Sequence, residues 1–485
     1  MSPEAASLDP REAQQRDHAA YREAPYPSYI HTDTLPSRVA AIARLSGMRP
    51  PVVSTARVLE IGCGDGMNLM AMAQTLPEAR FTGFDILDDR IALGRERARR
   101  AGLDNVELHV ADIMDEQHAV GEFDYIIAHG VYAWVPPPVA DALMALIGRR
   151  LAPGGLALVS YNALPGSYLK IALRDAMLGV IGDAPEGAER LRRAHALLEK
   201  IAERKVGNDP AQRAMQAQVE RILATPGHVL LHDELGAHFR PQYLQDVVVH
   251  GQRHGLKFLG DAGGGRVYDG IWPEDVPEPD DRDRGVVARA IADDLVGMRL
   301  FRSTLFTRET TPLPRELDLA AVDELWIGVP KADEDGRFRN SAVEIEISEP
   351  ALLEPLRQLA ATAPARMRRA EAGMPEEARL SIVNMFNMGV ITLDSEPYRG
   401  PTDFGEVPVV TPLARVMLDE GATWVPTLHP RMLALEGTTP TVVRRLDGTI
   451  DAEELSALGL ASGFATPETF AAELRAMRKL GIFAH

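Results

Sequence analysis

Residues 58–69 read VLEIGCGDGMNL: an apolar run that carries an acid, Glu60, and then Gly62, Gly64 and Gly66 at alternate positions. Glycines so spaced bring bare backbone up to a ligand with no Cβ in the way. A helix starting near Gly66 offers its free N–H groups to an anion such as a carboxylate. A phosphate-gripping Walker loop needs Gly-x4-Gly-Lys-Ser/Thr, and no lysine follows here. A dinucleotide loop, Gly-x-Gly-x-x-Gly, wants its third glycine where Met67 stands.

The surroundings extend the pattern. Strands are predicted at 56–61, 80–85, 106–110, 123–129 and 155–162, with helices at about 66–76, 87–101 and 138–150 between them. Several of these strands are continuously apolar, as in a parallel sheet covered on both faces, so an α/β doubly wound fold is expected. Pro153-Gly154-Gly155 is predicted as a turn just before the fifth strand.

Acids fall at the strand ends. Asp85 closes the second strand, where a carboxylate accepts both hydroxyls of a ribose. Asp112 closes the third, placed to accept a hydrogen bond from an adenine amino group. With Glu60 before the turn, three acids suit a cationic nucleoside, whereas a diphosphate would sit poorly among Glu60, Asp65 and Asp85. S-adenosyl-L-methionine has the ribose, adenine, carboxylate, ammonium and sulfonium that match. For Asp65 and Asn68, helix capping competes with ligand contact.

This set of motifs resembles the class I S-adenosylmethionine-dependent methyltransferases: Glu-x-Gly-x-Gly-x-Gly after strand one, Asp85 after strand two, Asp112-Ile113 after strand three and Pro-Gly-Gly before strand five. The resemblance implies a Rossmann-like fold and a cofactor site made of Glu60, Gly62, Cys63, Gly64, Asp65, Gly66, Asn68, Asp85, Ile86, Asp112, Ile113 and His129.

Segments outside that core narrow the resemblance. HGVYAWVP (129–136), YNALPG (161–166), LLHDEL (230–235), the run 241–262, RLFRSTLF (299–306) and the N-terminal YPSYIHTDTLPSRVAAIARL (26–45) are similar to bacterial methyltransferases with a methyltransferase regulatory domain. The rickettsial protein lysine methyltransferases are among them. That likeness implies an N-terminal helical cap (1–50), a cofactor-binding domain (51–170), a mostly helical middle region (171–310), a mixed α/β region (311–400) and a winged-helix-like end (401–485). It also implies a protein or peptide substrate presenting lysine, and a homodimer. A small-molecule or peptide-tailoring methyltransferase and a non-catalytic cofactor-binding scaffold are the alternatives.

Candidate catalytic residues follow strands four and five. Tyr132, Trp134, Tyr161 and Tyr168 are either an aromatic channel for an ammonium or core packing. His129 is a base, a cofactor contact or a partly buried histidine. Asn162-Ala163-Leu164-Pro165 lacks the adjacent prolines of the Asn-Pro-Pro-Tyr loop of nucleobase methyltransferases and follows a different strand.

Charge limits the partners. A net charge of −18 opposes general nucleic-acid binding. Residues 401–485 hold seven Lys and Arg against eleven Asp and Glu, so this end is expected to contact protein. The cluster Arg90, Arg95, Arg97, Arg99 and Arg100 is expected to be a solvated helix face. Arg299 and Arg302 are expected to pair with acids of the linker or core. One cysteine, Cys63, allows neither an internal disulfide nor a multi-cysteine zinc site, and His232-Asp233 lacks a third ligand, so no metal is expected. The polar, acidic start predicts no signal peptide, and no apolar run approaches the roughly 18 residues of a membrane span. A cytoplasmic location is expected.

Overall fold

The structure, a computed structural model, describes residues 27–115, 121–182, 187–204, 207–225, 227, 230, 233–236, 238–263, 275–277, 279, 281–329, 337–340, 343–400, 407–437 and 439–484. Seven strands build one sheet: β1 (Arg57–Ile61), β2 (Arg80–Asp85), β3 (Val106–Val110), β4 (Phe123–Ala128), β5 (Leu151–Asn162), β6 (Leu256–Asp261) and β7 (Phe301–Arg308). Their order is β3-β2-β1-β4-β5-β7-β6. The first five run parallel, and β7 lies antiparallel between β5 and β6. The connections are α2 (Met67–Ala73), α3 (Asp88–Ala101) and α4 (Pro137–Arg150), after an N-terminal α1 (Pro36–Leu45).

Alternate strand residues enter two cores. Val58, Phe81, Tyr125, Leu156 and Leu305 pack with α1 and with residues of 321–393. Leu59, Phe84, Ile126, Ala157 and Phe306 pack with α4 and with α8 (Leu244–Arg253). Burial on both faces is why β1, β4 and the second half of β5 read as largely apolar runs.

The expected middle region begins as three helices, α5 (Tyr168–Ile181), α6 (Ala188–Ala202) and α7 (Pro210–Leu223), around Leu173, Met177, Leu198 and Ile222. It then returns to the main sheet as β6 and β7, flanking α9 (Arg282–Val296). The helix ends at Val296, and most of RLFRSTLF is strand. Its polar residues Arg302, Ser303, Thr304 and Thr307 are all buried, which erased the apolar alternation that marks a strand.

Pro153-Gly154-Gly155 also lies elsewhere than expected. β5 already begins at Leu151, and the three residues form an irregularity inside it, where Phe123 pairs with Leu151 and Tyr125 with Leu156.

Residues 319–394 add β8 (Trp326–Gly328), the hairpin of β9 (Arg337–Arg339) and β10 (Glu344–Glu346), α10 (Pro350–Ala361), β11 (Met367–Arg368), α11 (Arg379–Asn387) and β12 (Thr392–Asp394). In the C-terminal unit α12 (Pro412–Asp419) is followed by the hairpin of β13 (Trp424–Pro426) and β14 (Met432–Ala434). Three helices, α13 (Thr439–Arg444), α14 (Ala452–Ala461) and α15 (Pro467–Lys479), complete it. Among the described residues no helix is long and apolar enough to cross a membrane.

The arginine cluster of α3 is only partly solvated. Arg99 is exposed beside Glu96, but Arg97 is buried between Asp65 at 2.6 Å and Glu420 at 2.9 Å. Arg100 reaches Glu420 at 2.8 Å. The cause is distant in sequence: α12 docks on α3 through Leu413, Val416 and Met417 against Ala98 and Ala101.

Arg302 pairs as expected with core acids. It binds both oxygens of Asp294 at 2.7 and 2.8 Å and Asp261 at 3.3 Å, and Arg299 meets Asp294 at 2.7 Å. One guanidinium thus ties β7 to β6 and α9. Arg302→Ala should cost about 3–5 kcal/mol, because two buried carboxylates lose their main cation. Arg99→Ala, on an exposed pair, should leave the unfolding midpoint near that of the wild type. Urea unfolding of both variants checks this, and equal midpoints would contradict the network.

Candidate functional site

The sheet order places the switch point between β1 and β4, where open α/β sheets leave a crevice. The two loops meet there. Gly62 has φ +70°, and a Cβ on it would lie 2.6 Å from Val131 Cγ2. Gly64 has φ +57°, and a Cβ there would meet nothing within 4 Å, so bare backbone faces open space. Its N–H donates to Asp85 Oδ2 at 2.9 Å, while Asp85 Oδ1 accepts from the Leu87 N–H at 3.0 Å. Ile86, Asp112 and Ile113 stand half-buried at the neighbouring strand ends, with Asp112 Oδ1 accepting from the Met114 N–H. Cys63 is buried beneath the loop, and burial raises its thiol pKa well above the usual value.

Glu60 is buried. Its Oε1 accepts from Asn68 Nδ2 at 2.9 Å, and Oε2 has no hydrogen-bond partner among the described residues. Loss of solvent pushes its pKa up to about 8, against the Asn68 hydrogen bond, with Asp65 and Asp85 adding to the rise. An orphaned carboxylate oxygen beside open backbone fits a cationic amine. Asp65 and Asn68 are engaged by the protein itself, Asn68 from within α2 with partners outside that helix. Asp65 accepts from Arg97, Ser28 and the Met67 N–H. Asn68 joins Glu60, the Thr34 hydroxyl and the His31 N–H. Gly66 starts α2 with φ +72°.

Sequence reasoning passed over the residues that reach across this loop. Ser28, His31, Asp33 and Thr34 come from the N-terminal segment. The His31 ring stacks on His129 at 3.6 Å between centroids, and Phe301 lies 5.6 Å beyond. Asp33 accepts from the Ser303 hydroxyl. Burial lowers both imidazole pKa values, His31 further through the neighbouring His129, so both rings are neutral near pH 7. Only the quoted segment 26–45 hinted at them, since no spacing marks a strap across a distant loop.

The four aromatics divide. Tyr161 is fully buried in the sheet core, its hydroxyl 3.0 Å from Thr304 Oγ1. Tyr132 is buried beside it, its hydroxyl 2.7 Å from His250 Nδ1, and burial raises its pKa to about 12. For these two the packing alternative describes the observed position. Tyr168 is exposed, 2.6 Å from the Tyr243 hydroxyl. Trp134 is half-buried 5.1 Å from Phe239, and Lys170 Nζ lies over both rings, at 5.5 and 4.9 Å. Glu234 completes the setting 3.0 Å from that ammonium. His232 lies outside the described residues, and Asp233 stands next to Glu234.

Comparison with known proteins agrees with this geometry. A family model described as "Methyltransferase domain" matches residues 58–155, and one described as "Predicted methyltransferase regulatory domain" matches 226–308, which includes β6 and β7. An uncharacterised protein of Rickettsia prowazekii is 31% identical over 241 residues, covering 50% of this chain and 96% of the relative. A second from the same organism is 31% identical over 303 residues, covering 62% of this chain but only 55% of its own length. Among solved structures, PKMT2 from Rickettsia typhi superposes with a TM-score of 0.79 at 22% identity, covering 95% of this chain and 100% of that one. It has also been solved in complex with AdoHcy.

Glu60 supplies a pH test. Its pKa is higher folded than unfolded, so the stability of the wild type should fall as pH rises from about 4.5 to about 8, while the unfolded carboxylate ionises and the buried one cannot. Glu60→Gln removes that slope. Relative to wild type it should gain on the order of a few kcal/mol between pH 5 and pH 8, measured by denaturant unfolding without added cofactor. An offset independent of pH would contradict the buried, neutral acid.

Proposed function

The chain belongs to the class I S-adenosylmethionine-dependent methyltransferases with a methyltransferase regulatory domain, and from that premise we propose that it methylates the side-chain amine of lysine in a protein. The observation that carries this reading is the Trp134–Phe239 pair, on and beside the loop that leaves β4, already holding a lysine ammonium against Glu234. Two aromatic faces beside a carboxylate suit that head group. Similarity in fold to PKMT2 over 95% of the chain supports it.

Glu60, the backbone of Gly62 and Gly64, Asp85, Ile86, Asp112, Ile113 and His129 are the residues that would hold the cofactor. When bound, S-adenosylmethionine supplies an electrophilic methyl group on a sulfonium. The chain's own task is to present a neutral amine in line with it. A lysine of ordinary pKa is neutral in about one part in a few thousand at pH 7, a deficit of roughly 4.6 kcal/mol. His129 is a poor base for that purpose. Its pKa lies below the ordinary imidazole value, so drawing a proton from the ammonium would cost more than about 5 kcal/mol. Neutral, it instead offers a hydrogen-bonding edge at the end of β4. Desolvation of the ammonium against aromatic rings, with the proton leaving to water, is the better route. Asp85, held by the Gly64 and Leu87 N–H groups, keeps its carboxylate aimed without help from the ligand.

Incubation with labelled S-adenosylmethionine and a bacterial lysate tests the proposal. Label in a protein band, mapped by mass spectrometry to methyl-lysine, is the expected result; label confined to small molecules, or binding without transfer, would overturn it. Asp85→Ala should weaken cofactor binding by about 1–3 kcal/mol in calorimetry. Trp134→Ala should leave that affinity near wild type and lower turnover.

A further inference from the structure

A second cluster lies on α4 and at the end of α8. His250 and His254 are one helical turn apart, and Asp141 faces them from α4. Asp141 Oδ1 is 3.0 Å from His250 Nε2 and 2.9 Å from His254 Nε2, and the three potential ligand atoms all lie within 4.8 Å of one another. We propose that Asp141, His250 and His254 form a binding site for one divalent transition-metal ion of the zinc type, clamping α8 to α4 behind the loop that leaves β4.

Three observations support a built site. Tetrahedral zinc, with bonds of about 2.0–2.1 Å, holds its ligand atoms roughly 3.3 Å apart, close to the carboxylate–imidazole spacings seen. The helices are set against each other at Gly148, where a Cβ would lie 2.2 Å from the His254 carbonyl oxygen, so the ligands are presented by touching backbones. The buried Tyr132 hydroxyl grips His250 Nδ1 at 2.7 Å, the outer hydrogen bond that orients a metal-binding imidazole. Both histidine side chains are mostly covered and Asp141 is 59% exposed, which leaves room for water as a fourth ligand. Two imidazoles and one carboxylate favour zinc, cobalt or nickel over magnesium and calcium, which take oxygen ligands.

The protons balance within the cluster. Without metal, both Nε2–H groups donate to Asp141, and His250 Nδ1 accepts from the Tyr132 O–H. With metal on Nε2, each ring carries its proton on Nδ1, and that of His250 donates to the Tyr132 oxygen. Binding therefore reverses the hydrogen bond to Tyr132, three residues beyond His129. The inference rests on this geometry and not on the methyl-transfer reading.

The test titrates the full chain, stripped with a chelator, with zinc by calorimetry and with cobalt by visible absorption. One equivalent of zinc, a tetrahedral cobalt band and no response to magnesium are expected. Asp141→Asn and His254→Gln should each weaken zinc at least roughly tenfold, and Tyr132→Phe by roughly 10–100-fold. The metal-free variants are first checked by circular dichroism, and either ligand variant that stays folded suffices for the comparison. Absence of stoichiometric binding, or affinity unchanged in a folded ligand variant, would overturn the site.

Discussion

Between β1 and β4 the sheet reverses the direction in which its strands are added, and the loops leaving those strands are pressed together at Gly62 and Val131. That contact sets the crevice. Any side chain at position 62 would drive Val131 away and open the floor beneath the glycine loop. It would also strain a residue held at positive φ. The acids at the ends of β2 and β3 are useful only because parallel pairing brings them to the same rim, with Phe84 opposite His109 and Asp85 opposite Val110.

The glycine loop is braced by segments distant from it on both sides in sequence. Ser28 and His31 reach it from the N-terminal side through Asp65 and Asn68. Glu420, the residue that follows α12, reaches it through Arg97, which also holds Asp65. A buried carboxylate bound to a buried guanidinium is costly to break by removing either partner. The accessory units therefore do more than enlarge the molecule: they hold the loop in the shape its open backbone requires. This is a physical reason for the sheet domain to carry several hundred further residues.

The central sheet was legible because β1 and β4 are buried on both faces and largely apolar, and because β2 and β3 keep a buried apolar residue at their centres between turn residues. Predicted and observed limits differ by at most one residue there, and β2 and β3 agree at both ends. β5 began four residues early because Pro153-Gly154-Gly155 is absorbed as an irregularity. β6 and β7 were not legible. A strand that buries Arg302, Ser303, Thr304 and Thr307 beside Leu305 and Phe306 looks like surface over half its length until Asp261 and Asp294 are known to face it. Arg97 misled for the same reason, since its partners lie 32 and 323 positions away. At the site, the glycines and acids were readable from spacing, but His31 stacking on His129 was not. His250 and His254 did carry a signal, one turn apart on a helix, yet their third member sits on another helix with no sequence marker.

Residues 129–134 show how much one short loop is asked to satisfy. His129 meets His31 and Phe301, Val131 closes on Gly62, Tyr132 lies between Tyr161 and His250, and Trp134 meets Phe239 under Lys170. Four neighbouring environments are thus joined through six positions of backbone. A displacement at Tyr132 cannot be absorbed locally, because its ring is packed on one side by the sheet core and tied on the other to α8. The floor under Gly62, the imidazole pair and the aromatic seat of the ammonium are therefore mechanically linked. Any group that fixes α8 against α4 also narrows the positions open to this loop, and with them the geometry of the crevice.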